Sequence, residues 1–254
     1  MTRKTSPAVG VITGTGVTEH FDLAEKLAVR TRFGTAAVYP ARDGSYYLIP
    51  RHGVGHGTPP HMVNYRANVA ALRQLGVGRI IATSAVGSMN PKLRVGKIGL
   101  VSQFIDFTSR RDETFFDTEA RHTDMTNPYS PYVNGALLKA GKGLRVRLRT
   151  GLVYVCVEGP RFETAAEIEM FRRLGGDVVG MTGVPEVVLA NEAGIEYASV
   201  VVATNWAAGI QKKVSHNEVL EVMRRAGPEV KSLIVGGIRL LGGGIGRHDQ
   251  DQEP

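Results

Sequence analysis

The residues best suited to chemistry fall in three short segments: Glu158-Gly-Pro-Arg-Phe-Glu163-Thr, Gly180-Met-Thr-Gly-Val-Pro-Glu186 and Ala203-Thr-Asn205. Each lies where a β-branched run gives way to a loop or helix, and strand ends are where α/β proteins keep their binding groups. Together they supply an aromatic face, carboxylates, a hydroxyl, a thioether and a carboxamide. Such a set can surround a heterocycle, a sugar and an anion at once, so a nucleoside with phosphate is the ligand pair to test.

Anion-binding groups recur at four separate strand ends. Thr13-Gly-Thr-Gly-Val-Thr-Glu19 follows an apolar run, yet Glu19 stands where a dinucleotide fingerprint needs its third glycine, and no Lys-Ser/Thr pair makes a P-loop. What remains is a tight turn whose amides and Thr15 hydroxyl could hold one phosphate, and a purely structural turn explains it equally well. Arg51-His52 sets a guanidinium fork beside an imidazole, and the fork can grip two phosphate oxygens together. Ser84 closes another apolar run, and Thr182 places a hydroxyl near the positive end of the helix opened by Pro185.

The elements that must position these groups alternate between strand and helix patterns, as in an α/β domain with a mixed, mostly parallel central sheet flanked by helices. Strands are predicted at 9–13, 46–50, 79–84, 99–107, 151–157, 178–181 and 196–204, and helices at 61–75, 131–143, 164–174, 184–192 and 215–241. Capping boxes mark two helix starts, Thr164-Ala-Ala-Glu167 and Ser215-His-Asn-Glu218. A single domain over residues 1–241 is expected. The polar, glycine-rich residues 242–254 read as a flexible tail.

Composition narrows the classes. The net charge is +7, but the cations are scattered in short clusters such as Arg110-Arg111, Arg145-Val-Arg147-Leu-Arg149 and Lys212-Lys213, without the aromatic interleaving of a nucleic-acid surface. No apolar run is long enough for a bilayer and the N-terminal residues lack a signal core, so a cytoplasmic protein is expected. The lone Cys156 has no partner for a disulfide or metal site and reads as a core residue.

Beyond these single motifs, the chain resembles the trimeric purine nucleoside phosphorylase and methylthioadenosine phosphorylase family. The likeness rests on Gly14-Thr-Gly16, Arg51-His52-Gly53, Val63-Asn-Tyr-Arg-Ala-Asn68, Ser84-Ala-Val-Gly87, Gln103-Phe-Ile-Asp106, Glu158-Gly-Pro-Arg-Phe162, Met181-Thr182, Val184-Pro-Glu186 and Ala203-Thr204. It implies the type I nucleoside phosphorylase fold and phosphorolysis of a purine nucleoside to free base and pentose 1-phosphate. Inorganic phosphate would be co-substrate, with no metal or organic cofactor. The partners implied are further copies of the chain, as a homotrimer or a dimer of trimers, with no nucleic acid or membrane.

By the same resemblance Thr15, Arg51, His52, Ser84 and Thr182 hold phosphate. Phe162, Glu163 and Asn205 read the base, and Met181, His56, His216 and a neighbour-facing His122 surround the sugar. Asn205 and His52 are the expected catalytic pair. Relatives that take 6-amino purines carry two Asp residues where this chain has Asn205 and Ala207, so a 6-oxo purine is implied, with Glu163 accepting from its N1–H. His216 favours a 5′-hydroxyl over a 5′-methylthio group, although Val219 and Leu220 offer an apolar wall. The alternatives are a methylthioinosine or methylthioadenosine phosphorylase and, in another class, an inactive nucleotide- or RNA-binding module. Lys97 departs from the family, where an acidic residue commonly follows that glycine, and so does the Trp206 loop.

Overall fold

The computed structural model describes residues 7–242, so the expected tail lies almost wholly outside the described residues. Chain order is β1 (Ala8–Thr13), β2 (Leu27–Thr31), β3 (Gly34–Pro40), β4 (Tyr47–Pro50), α1 (Tyr65–Gln74), β5 (Val77–Ser88), β6 (Ile98–Phe107) and α2 (Pro131–Leu144). Then come β7 (Arg149–Val157), α3 (Ala165–Arg173), β8 (Val178–Gly180), α4 (Gly183–Glu192), β9 (Glu196–Trp206) and α5 (His216–Leu240). The strands form one mixed sheet in the order β2-β3-β4-β1-β5-β8-β7-β6-β9, and β5 also pairs with β9. That extra pairing closes β5, β9, β6, β7 and β8 into a ring, from which β1, β4, β3 and β2 extend as an open wing.

Buried apolar side chains hold helices on both faces, as a largely parallel sheet requires. One apolar cluster joins β1 and β5 to α1 and α4 through Val69, Leu72, Val184 and Val187. A second joins the opposite face to α2 and α5 through Val133, Leu137, Met223, Val230 and Leu233. A third, around Met89, Val155, Ile168 and Phe171, seats α3 over the ring. Each fully buried aliphatic side chain contributes about 1.5–3 kcal/mol of transfer free energy.

Strand register brings the chemistry-bearing segments to one rim. Thr13 pairs with Pro50, which puts the glycine turn beside Arg51. On the other side Gly87 lies opposite both Asn205 of β9 and Val179 of β8, so Ser84, Asn205 and Met181-Thr182 converge.

Several local expectations need correction. The hairpin of β2 and β3 lies outside the expected strands; its apolar runs, Leu27-Ala-Val29 and Ala36-Ala-Val-Tyr39, are short and sit in a largely exposed edge ribbon. The helix expected over 61–75 begins only at Tyr65, after a 3-10 turn at Pro60–Met62, because the Asn64 side chain caps the Ala67 amide at 2.9 Å. Thr164 and Glu167 form a complete capping box. At α5 only half forms: Ser215 accepts from the Glu218 amide, while the Glu218 carboxylate receives Gln211 Nε2 at 2.9 Å.

Gly16 is the tightest hinge of the glycine turn, with φ of +68° and a notional Cβ only 2.7 Å from Met223 Cβ of α5. Gly16→Ala therefore combines left-handed strain with overpacking and should lower the unfolding free energy by about 1–3 kcal/mol in urea titration. An unchanged midpoint would show that this turn is not seated on α5.

Candidate active site

Two buried ions fix the centre of the site. Arg51, one residue beyond β4, donates from Nε and Nη2 to the two oxygens of Glu186 at 2.7 Å each, and both side chains are wholly excluded from solvent. Nη1 also donates to the Thr83 carbonyl at 2.8 Å, and Tyr197 donates its hydroxyl to Glu186 at 2.8 Å. Burial opposes the Arg51 charge, but the Glu186 carboxylate outweighs it and holds the guanidinium above its ordinary pKa. Three of the five N–H groups are thereby engaged. One on each terminal nitrogen remains for a ligand, and Arg51 lines the cavity.

The anion end of the cavity, whose volume is about 500 Å³, combines this fork with the hydroxyls of Thr15, Ser84 and Thr182. Backbone amides contribute less than the sequence suggests. The Gly14 amide is consumed by Thr83 Oγ1 at 2.9 Å. At the start of α4, the Thr182 and Gly183 amides donate to the Tyr154 hydroxyl at 3.2 and 3.3 Å, and Val184 donates to Cys156 Sγ at 3.4 Å. The helix N-terminus is thus satisfied from the core side. The Thr182 hydroxyl caps nothing and is left to face the cavity.

His52 is set up as an acceptor. Its Nδ1 lies 2.8 Å from the Thr58 carbonyl, which can only accept, so the proton resides on Nδ1 and Nε2 is bare. Burial, reinforced by Arg51, pushes the ring pKa down to about 4. A neutral His52 can accept from a hydroxyl of hydrogen phosphate or of a sugar, but it cannot donate from Nε2 to an anion.

At the other end Phe162, Glu163, Met181 and Asn205 line the wall, with Pro160, Val86, Val179 and Thr204, none of which the sequence singled out for this role. The Asn205 amide is oriented by its neighbours: Oδ1 accepts from the Thr204 hydroxyl at 2.9 Å and Nδ2 donates to the Trp206 carbonyl at 2.9 Å, leaving one free N–H. Burial pushes the Glu163 carboxyl up, and its neighbour Arg161 is turned away onto Glu167. Glu158 faces elsewhere, pairing with Arg111 at 3.0 Å.

Histidines form the third wall. His52, His56 and His216 all line the cavity, with ring centroids 4.4 Å apart for the first pair and 6.0 Å for the second. His56 Nε2 is 3.2 Å from Thr15 Oγ1, and its backbone has φ of +59°. Val219 joins the lining; Leu220 does not and is exposed. Ala207 is fully buried in the apolar cluster under α3, so it takes no part in reading a ligand. His122 lies exposed in the 108–130 connection, outside the cavity of its own chain. Trp206 is also outside the lining. Among the described residues no group of three His, Cys, Asp or Glu side chains is arranged to hold a metal ion, and no helix is long and apolar enough to cross a membrane.

Residues 8–239 match the phosphorylase superfamily. The chain is 45% identical over 248 residues to the 6-oxopurine nucleoside phosphorylase of Pyrococcus furiosus, covering 92% of this chain and 93% of that protein. It is 50% identical over 230 residues to a probable S-methyl-5′-thioinosine phosphorylase of Methanopyrus kandleri, covering 89% and 90%. Among solved structures, methylthioadenosine phosphorylase from Schistosoma mansoni in complex with adenine superposes with a TM-score of 0.87 at 31% identity, over 93% of this chain and 92% of that one.

Glu186→Ala would strand the buried Arg51 charge and should cost about 3–5 kcal/mol of stability in chemical denaturation, with Glu186→Gln losing less. A loss below about 1 kcal/mol for Glu186→Ala would contradict the pairing. For His52 the folded pKa of about 4 lies below the ordinary 6.5. The unfolded chain therefore binds a proton that the folded chain refuses, and stability falls as pH drops through that window. The fall should be shallower in His52→Gln, as read from urea midpoints across the same pH range.

Proposed function

Because the chain belongs to the phosphorylase superfamily, we propose from its site that it cleaves 6-oxopurine nucleosides, inosine and guanosine, with inorganic phosphate, giving free base and ribose 1-phosphate. The observation that carries this reading is the pairing of Glu163 and Asn205 on the wall of the cavity that also holds the Arg51 fork. Ionised Glu163 accepts from N1–H of a 6-oxo purine, a hydrogen that adenine lacks. The free N–H of Asn205 donates to N7.

In the proposed reaction a phosphate oxygen forms a bond to C1′ as the C1′–N9 bond breaks, and the bonding pair leaves with the purine. Positive charge develops on the sugar and negative charge on the base. Arg51, Thr15, Ser84 and Thr182 orient phosphate, and Asn205 stabilises the charge building on the departing ring. His52 acts as acceptor for a phosphate or sugar hydroxyl. No metal or organic cofactor enters this scheme. Phe162 and Met181 supply apolar surface to base and sugar, and His56 and His216 receive the 5′-hydroxyl. His122, outside its own cavity, suits a role in a neighbour's site within a homotrimer. A cytoplasmic purine-salvage enzyme is the setting that fits these assignments.

A second reading, phosphorolysis of S-methyl-5′-thioinosine, is favoured by Val219 beside His216 and by the similarity to the Methanopyrus protein. An inactive RNA-binding module fits poorly with a single cavity lined by Arg51, His52, Phe162, Glu163 and Asn205.

In phosphate buffer, inosine and guanosine should be cleaved with kcat/KM at least about tenfold above methylthioinosine, methylthioadenosine and adenosine: His56 and His216 are exposed at the cavity, and a thioether that covers them without a hydrogen bond costs roughly 1–3 kcal/mol. His216→Val should narrow the gap between inosine and methylthioinosine. Cleavage of methylthio nucleosides alone would select the second reading, and salt-dependent RNA binding without turnover would overturn both.

A further inference from the structure

A second cleft, of about 680 Å³, shares no lining residue with the active-site cavity. Lys92, Arg94 and Lys97 reach it from the β5–β6 loop, Arg145 and Arg147 from the connection between α2 and β7, and Arg149 from the start of β7. Glu229 of α5 is the one carboxylate in its wall. Six positive side chains thus face one negative one. Among the described residues none of the six forms an ion pair or a side-chain hydrogen bond, whereas eleven other arginines find carboxylates.

The convergence is built into the backbone. Over 145–149 exposure alternates: Val146 and Leu148 are half-buried and pack on the apolar cluster, the three arginines are exposed, and all five residues line the cleft. Arg145 holds a left-handed φ of +59° to begin this run. The facing loop is pinned by Gly96 N–H to the Ala203 carbonyl at 2.7 Å, Ala203 N–H to the Lys97 carbonyl at 3.1 Å and Ser88 Oγ to the Leu93 carbonyl at 2.7 Å. Cations at the C-terminal end of α2 can be explained by its dipole, but Lys92, Arg94 and Lys97 belong to a different segment.

We propose that this cleft binds a small anion bearing a chain of two or three phosphates, free or as part of a nucleotide. Six cations against one carboxylate call for more negative charge than a single phosphate carries. A nucleic-acid strand is disfavoured because no aromatic side chain lines the cleft for bases to stack upon. Lys97, which departs from the family pattern the sequence resembles, lines this cleft.

The test is calorimetric titration of the full chain with tripolyphosphate, ATP, orthophosphate and single-stranded RNA at fixed ionic strength. It is paired with the double variant R94E/R147E and its milder counterpart R94Q/R147Q. Tripolyphosphate should bind saturably and raise the thermal midpoint. Both variants should keep the ligand-free midpoint, with R94E/R147E weakening binding about tenfold or more and R94Q/R147Q less. ATP binding as tightly as tripolyphosphate would show that the phosphate chain suffices, and tighter ATP binding would identify a nucleotide. Absence of saturable tripolyphosphate binding, undiminished binding by R94E/R147E, which would assign it to the active site, or binding of RNA alone would each overturn the proposal.

Discussion

The structure turns on a carboxylate and a guanidinium held together in the dark of the protein. Burying two charges costs several kcal/mol per ion before their attraction is counted, and a well-packed apolar pair would serve stability as well. The Arg51–Glu186 pair is therefore better understood through what it orients. Glu186 takes two N–H groups, the Thr83 carbonyl takes one, and the two left over belong to a fixed guanidinium that lines the cavity. Because Arg51 follows β4, Glu186 belongs to α4 and Tyr197 to β9, the anion end exists only when three parts of the fold have come together.

Polarity is graded along the cavity. At one end hydrogen-bond donors dominate, and in the middle the neutral His52 offers a bare nitrogen. At the far end Glu163 is pushed towards protonation by burial, so its capacity to accept depends on pH, while Asn205 presents a donor that does not titrate. Placing a non-titrating donor where charge would accumulate on a leaving base avoids making that step depend on a second proton.

Much of this was legible in the sequence because strands ending in Gly, Thr, Ser or Arg mark a rim, and the resemblance supplied the roles. Every expected site residue except His122 lies in one cavity. What could not be read were relations set by tertiary packing. Nothing near Arg51 in sequence announces Glu186, 135 positions away, as its partner. The first amides of α4 are claimed by Tyr154 and Cys156, residues of β7 that no local pattern links to that helix. The β2–β3 ribbon is hard to read because its apolar runs, three and four residues long, are shorter than those of the inner strands.

The closed ring has a bearing on how the chain behaves at high concentration. A simple open sheet leaves two rows of unpaired peptide groups, each a template for another molecule's strand. Here the second pairing of β5 with β9 removes one of them, and among the described residues only β2 keeps a free flank. That strand is short, contains Arg30, and is bracketed by Lys26 and Arg32, the kind of positive fringe that discourages a second copy from docking edge to edge. Its exposed, unremarkable sequence is thus the chain's defence against ordered aggregation.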